Sequence, residues 1–123
     1  MKTYAQTLCL QDDPDKVRKY VEYHQKVWPE VLDGLRSAGI MNMQIFLLGR
    51  RLFMYIQTRD DFEPDRDYPK ARMANAKSRE WNEIMATLQE RAPEARPDQW
   101  WAPMEMVFDL NWPQHLPKSS TPA

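Results

Sequence analysis

Cysteine is nearly missing from this chain. Cys9 stands alone in an apolar segment, so it has no internal disulfide partner and reads as a small buried hydrophobe. Beyond it only His24 and His115 are present, so a dedicated transition-metal site has almost no imidazole or thiolate to draw on. Three glycines, never clustered, cannot build a phosphate-cradling loop. Neither sign of charge is in excess. Seventeen Lys and Arg face 18 Asp and Glu, a net charge of −1, and the basic footprint that nucleic acid demands is missing. No apolar run reaches transmembrane length, and the opening MKTYAQTLCLQDD turns acidic too soon for a signal peptide. The expectation is a cytoplasmic protein with neither a membrane nor a nucleic-acid partner.

What is present suffices for one core. The 123 residues are 42 % apolar and 28 % charged, the balance of a single folded domain. Residues 1–112 are expected to form it, with 113–123 as a flexible C-terminal tail. TYAQTLCL (3–10) reads as a strand, and Asp13-Pro14 reads as an N-cap followed by proline in the first helical turn. A helix is predicted from there to about Ala38, ending at Gly39, with Pro29 bending it without stopping it. IMNMQIFLL and RLFMYIQT, divided at Gly49-Arg50, predict an antiparallel hairpin. Residues 59–76 read as an irregular loop with at most a short helix. KSREWNEIMATLQERA carries Trp81, Ile84, Met85 and Leu88 at helical spacing, and MEMVFDL (104–110) reads as a last strand.

This order predicts an α+β domain of ferredoxin-like βαββαβ type, a four-stranded antiparallel sheet with both helices on one face. Met41, Met43, Ile45 and Leu47 point one way along the hairpin and Phe46 and Leu48 the other, so both faces are apolar. A two-layer monomer would leave one face wet and polar. A second copy of the sheet across a two-fold axis would cover it, giving a homodimeric α/β barrel. A ligand pocket within one chain is the alternative cover, and both can hold together.

The stretch KYVEYHQKVWPEVL places an imidazole on a greasy stripe. At helical spacing Val17, Tyr20, Val21, His24, Val27, Trp28, Val31, Leu32 and Leu35 fall within a sector of about 140°. His24 lies near its middle, with Tyr20 one turn before and Trp28 one turn after. The plain reading is a core histidine satisfied by a backbone carbonyl or by Tyr20. The other reading is a polar pair in an aromatic pocket, able to bind a small polar molecule and exchange protons with it near neutral pH.

The run Y-x3-H-x3-WPE at Tyr20, His24 and Trp28-Pro29-Glu30, followed by the strand start GI-x-N-x-x-I and the apolar pair LF, resembles the L-rhamnose mutarotase family. The similarity extends from the first strand to MEMVFDL. The resemblance implies a dimeric ferredoxin-like protein that interconverts the anomers of 6-deoxy-hexoses without a cofactor or metal. It implies His24 as proton donor and Tyr20 as a sugar contact. Rhamnose-specific members carry a Trp-Trp pair where this chain has Trp81-Asn82, and an aromatic where it has Met43. Both positions face the sugar in the family. An amide in place of an indole exchanges a stacking surface for hydrogen bonds, which suits a sugar with a differently oriented hydroxyl, such as L-fucose.

Mutarotation takes a proton from the anomeric hydroxyl and gives one to the ring oxygen as the C1–O5 bond opens. His24 is expected to act as acid toward the ring oxygen, and Tyr20 to orient the sugar or relay the proton at the anomeric oxygen. Trp81 would stack on the sugar's C–H face. Asn82, Met43 and Trp101 complete the expected contacts, with one of Trp100 and Trp101 expected to restore the wall that the missing indole leaves open. Trp100, Trp101 and the 59–76 segment could equally serve as lid, interface or loop anchors. Two rival functions share the fold class: a cofactor-free monooxygenase or haem-binding enzyme, and a non-enzymatic sugar-binding module.

Overall fold

A computed structural model describes residues 1–117 of the chain. It is an α+β structure whose sheet is antiparallel. Strand β1 (Lys2–Leu10) leads to helix α1 (Pro14–Gln25), helix α2 (Pro29–Ser37), and the hairpin β2 (Ile40–Leu48) and β3 (Arg51–Thr58). Helices α3 (Pro64–Arg72) and α4 (Ala76–Leu88) follow, then two short strands, β4 (Gln89–Glu90) and β5 (Ala102–Pro103). The strand order is β2-β3-β1-β4, and β5 pairs beside β4 on the same edge of β1.

The long hairpin forms where the sequence predicts it, turning at Gly49 with φ 61°. Gly39, at φ 103°, closes α2 as its left-handed C-terminal residue. Asp13 caps α1, its carboxylate accepting from the Asp15 N–H at 2.9 Å. Cys9 is buried and unpaired.

The predicted single helix is instead two. Trp28, the residue before Pro29, takes an extended conformation with φ −63° and ψ 138°. Proline's Cδ disfavours helical geometry at the preceding residue, so the first helix stops at Gln25 and Pro29 starts the second as its N1 residue. The 59–76 segment holds a full helix, α3. Its N-terminus is tied by Asp67, whose carboxylate accepts from the Glu63 N–H at 2.8 Å and from Arg66. Those bonds hold the Asp67 carboxyl well below its ordinary range.

The last strand is also corrected. MEMVFDL (104–110) forms no strand: its Met104 N–H donates to the Ala5 carbonyl at 2.9 Å, and the edge of β1 is otherwise filled by β4 and β5. Beyond it, Pro113–His115 make a 3-10 turn on which Trp112 and His115 stack. The rest of the predicted tail, 118–123, lies outside the described residues.

The helices pack on the sheet face built by Leu8, Leu10, Leu52, Met54 and Ile56. Leu8, Leu10, Leu52 and Ile56 are sealed from solvent, each contributing about 1.5–3 kcal/mol by burial. Tyr20, Val31, Trp81, Met85 and Leu88 close this layer from the helical side. Alternation along β2 is interrupted by a bulge between Ile40 and Asn42, which turns Ile40 inward and leaves Met41 exposed, against the expectation that Met41 shares the inner face. On the opposite face, Ala92 and Ala102 cover Cys9, while Phe46 and Leu48 stand 55 % and 84 % exposed.

Candidate active site

Tyr20 and His24 lie one turn apart on the last two turns of α1. The break before Pro29 places His24 at the helix terminus, with its ring stacked on Tyr20 at 4.2 Å between centroids. Trp81 of α4 stands edge-on against the imidazole at 5.3 Å, and meets Tyr23 and Trp28 edge-on at 5.6 and 5.2 Å. The imidazole is thereby held between a phenol and an indole.

Nδ1 of His24 lies 2.8 Å from the main-chain oxygen of Tyr20. A carbonyl only accepts, so Nδ1 carries the proton and the neutral ring presents a lone pair at Nε2. Burial pushes the imidazole below its ordinary pKa of 6.5, and the bond to the carbonyl offsets part of that fall. His24 is nevertheless half-buried, not sealed. With Tyr20, Val21, Gln25, Ile45, Leu47 and Leu52 it lines a cavity of about 200 Å³ between α1 and the hairpin. One wall is polar and titratable, the other aliphatic.

Tyr20 is buried at 4 % exposure, and desolvation pushes its hydroxyl up to about 12. A side-chain hydrogen bond from Gln89, the first residue after α4, opposes that rise. Gln89 is itself fixed, since Trp100 Nε1–H donates to its Oε1 at 2.8 Å. At neutral pH Tyr20 therefore keeps its proton.

The two expected catalytic residues are thus side by side on one cavity. The four expected sugar contacts are not on its wall. Trp81 is buried behind the imidazole at 6 % exposure. Asn82 spends its amide N–H on the Ser78 carbonyl at 2.8 Å. Met43 sits on the inner face of β2 opposite Ile56, in the second part of the core. Trp101 is half-buried between both parts of that core. The aliphatic wall of Ile45, Leu47 and Leu52 went unassigned, although its period-two spacing marks the inner face. Gln89 carries no sequence signal at all, because only the fold brings it to Tyr20.

These features define a class: a small α+β domain with a histidine and a tyrosine stacked beside a small cavity whose other wall is aliphatic. The chain belongs to the L-rhamnose mutarotase family, whose model matches residues 3–110. A UPF0734 protein of Dictyostelium discoideum is 43 % identical over 114 residues, covering 90 % of this chain and 91 % of that one. An L-fucose mutarotase of Xanthomonas campestris pv. campestris is 31 % identical over 113 residues, covering 90 % of each. Among solved structures, an L-rhamnose mutarotase from Formosa agariphila shares the fold with a TM-score of 0.63 at 22 % identity, covering 89 % of this chain and 98 % of that one.

Proposed function

We propose that the protein is a mutarotase that interconverts the α and β anomers of a 6-deoxy-L-hexose pyranose, L-fucose or L-rhamnose, using His24 and Tyr20 as its proton carriers. The observation that carries this reading is the free Nε2 of a half-buried His24 beside a cavity of about 200 Å³, in a chain of this family. That volume falls below the ~300–1,000 Å³ of drug-sized sites, which favours one sugar ring over a porphyrin. The aliphatic wall suits the C6 methyl of a deoxy sugar, where each buried carbon is worth about 0.8 kcal/mol.

In the proposed cycle, neutral His24 takes the anomeric O1 proton on Nε2. The C1–O5 bond breaks, O1 becomes the aldehyde oxygen, and O5 receives the Tyr20 proton. An alkoxide is more basic than even a buried phenolate, so this transfer runs downhill. The imidazolium and phenolate so formed are stacked rings, and each steadies the other's charge. After rotation about C1–C2 the ring closes on the other face, Tyr20 recovers its proton from O5, and His24 returns its proton to O1. His24 is then a proton donor on closure and a base on opening. The two oxygens exchange the partners expected from the sequence, because the Tyr20 carbonyl holds the His24 proton on Nδ1.

A second copy packed on the exposed Phe46 and Leu48 face is part of this reading. The strand order β2-β3-β1-β4 supports a ferredoxin-like barrel half. The exposed apolar residues Met104, Met106, Val107, Phe108 and Leu110 offer further surface to such a partner.

The test is magnetisation exchange between the anomeric proton signals of L-fucose and of L-rhamnose at equilibrium. Added protein should accelerate exchange in at least one of them. Binding without acceleration would favour a sugar-binding module, and a coloured haem complex would favour the other rival.

A further inference from the structure

We infer that Gln25 is a substrate-binding residue that holds the C2 hydroxyl of the sugar and reads its configuration. The inference rests on the mutarotase reading and deepens it. Of the seven side chains lining the cavity, four are aliphatic and two are the proton carriers Tyr20 and His24. Gln25 is the one that remains, and its amide offers both a donor and an acceptor. It is exposed, and no side-chain hydrogen bond among the described residues occupies that amide. A hexose brings three hydroxyls besides the anomeric one, and a hydroxyl drawn out of water needs such a partner.

Position on the helix selects which hydroxyl. The four cavity residues of α1 form two columns of one turn each, Tyr20 below His24 and Val21 below Gln25. Depth separates the columns. Tyr20 is buried and His24 half-buried, whereas Val21 and Gln25 are exposed at the mouth. In the proposed cycle Tyr20 serves O5 and His24 serves O1, which seats the C1 end of the sugar deepest. Next to O5 the ring carries C5 and its methyl, and next to C1 on the other side it carries C2 and O2. The methyl then falls on the Val21 side, and O2 falls beside Gln25, the neighbour of His24. O3 and O4 stay at the mouth, in water. L-Fucose and L-rhamnose have opposite configurations at C2 and C4, so a residue bonded to O2 tells them apart.

Gln25→Leu removes the amide at an exposed position, where folding is little disturbed. Anomer exchange is measured on L-fucose, on L-rhamnose, and on the 2-deoxy counterpart of whichever sugar the wild type turns over faster. For that faster sugar KM should rise about threefold to tenfold with kcat within about twofold, the signature of one neutral hydrogen bond made equally in ground and transition states. On the 2-deoxy sugar, which has no O2, wild type and variant should agree within about twofold. The kcat/KM preference between L-fucose and L-rhamnose should narrow in the variant. An unchanged KM for the faster sugar would show that Gln25 does not bind it, and the mutarotase reading would stand without this residue. An equal penalty with and without O2 overturns the assignment to the C2 hydroxyl, and a preference as wide as in the wild type overturns the role in specificity. Gln25→Ala, read in the same way, decides if the Leu variant fails to fold. Absence of exchange in the wild-type protein overturns this inference and the mutarotase reading together.

Discussion

The bond from Nδ1–H to the Tyr20 carbonyl leaves His24 a single nitrogen for chemistry. Burial lowers the pKa of that ring, so at neutral pH it rests uncharged and is ready to take a proton. The exchange rate is therefore expected to stay level as pH falls to about 6.5 and to drop only below it, as the imidazole charges. A rate that instead climbs on acidification would make imidazolium the form that enters the cycle. Stability follows the same sign. Between the depressed folded value and 6.5 the unfolded chain binds the proton more tightly, so folding weakens as pH falls through that window. His24 and Tyr20 were legible in the sequence because helical spacing alone sets them one turn apart. Their protonation was not, since the tautomer depends on where a main-chain oxygen lies. Trp81 was legible as a neighbour of His24, but spacing does not say on which side of the imidazole the indole stands.

At the level of elements, the division of the predicted long helix into α1 and α2 is what frees the imidazole end. An unbroken stripe would continue over the sheet, whereas the break at Lys26 to Trp28 lets α2 turn away and pack on α3 and α4. That packing is close at Gly34. A Cβ there would lie 3.0 Å from Ser78 Oγ, 3.1 Å from Ala74 Cβ and 3.2 Å from the Ala71 carbonyl. Gly34→Ala is accordingly predicted to destabilise the fold by about 1–3 kcal/mol despite its better helix propensity, read as a lowered denaturation midpoint in urea. A variant as stable as wild type would show that the helices part without strain. Pattern reading found the hairpin because period-two alternation and the Gly49 turn agree. It misplaced the last strand because MEMVFDL has strand composition, while pairing on the free edge of β1 was taken by Gln89–Glu90 and Ala102–Pro103. Composition measures how well a segment suits a strand, not which edge it reaches.

For the whole molecule, one sheet face is covered by helices and the other carries Phe46 and Leu48 into solvent. A chain that exposes such residues on its sheet, and further apolar residues in the 104–110 segment, is expected to associate. Sedimentation should find a dimer, and Leu48→Glu should shift it toward a folded monomer. A wild-type protein that sediments as a monomer at micromolar concentration would remove the second copy from this account. No helix among the described residues is long and apolar enough to cross a membrane. The account turns on one group, the His24 imidazole facing the cavity in which the proposed function seats a hexose. Its most direct test is the equilibrium exchange rate between α and β signals of L-fucose and L-rhamnose, measured with wild type and with a folded His24→Ala variant. A loss of about 10²- to 10⁴-fold in the variant is the predicted result, and equal rates in the two proteins would contradict it.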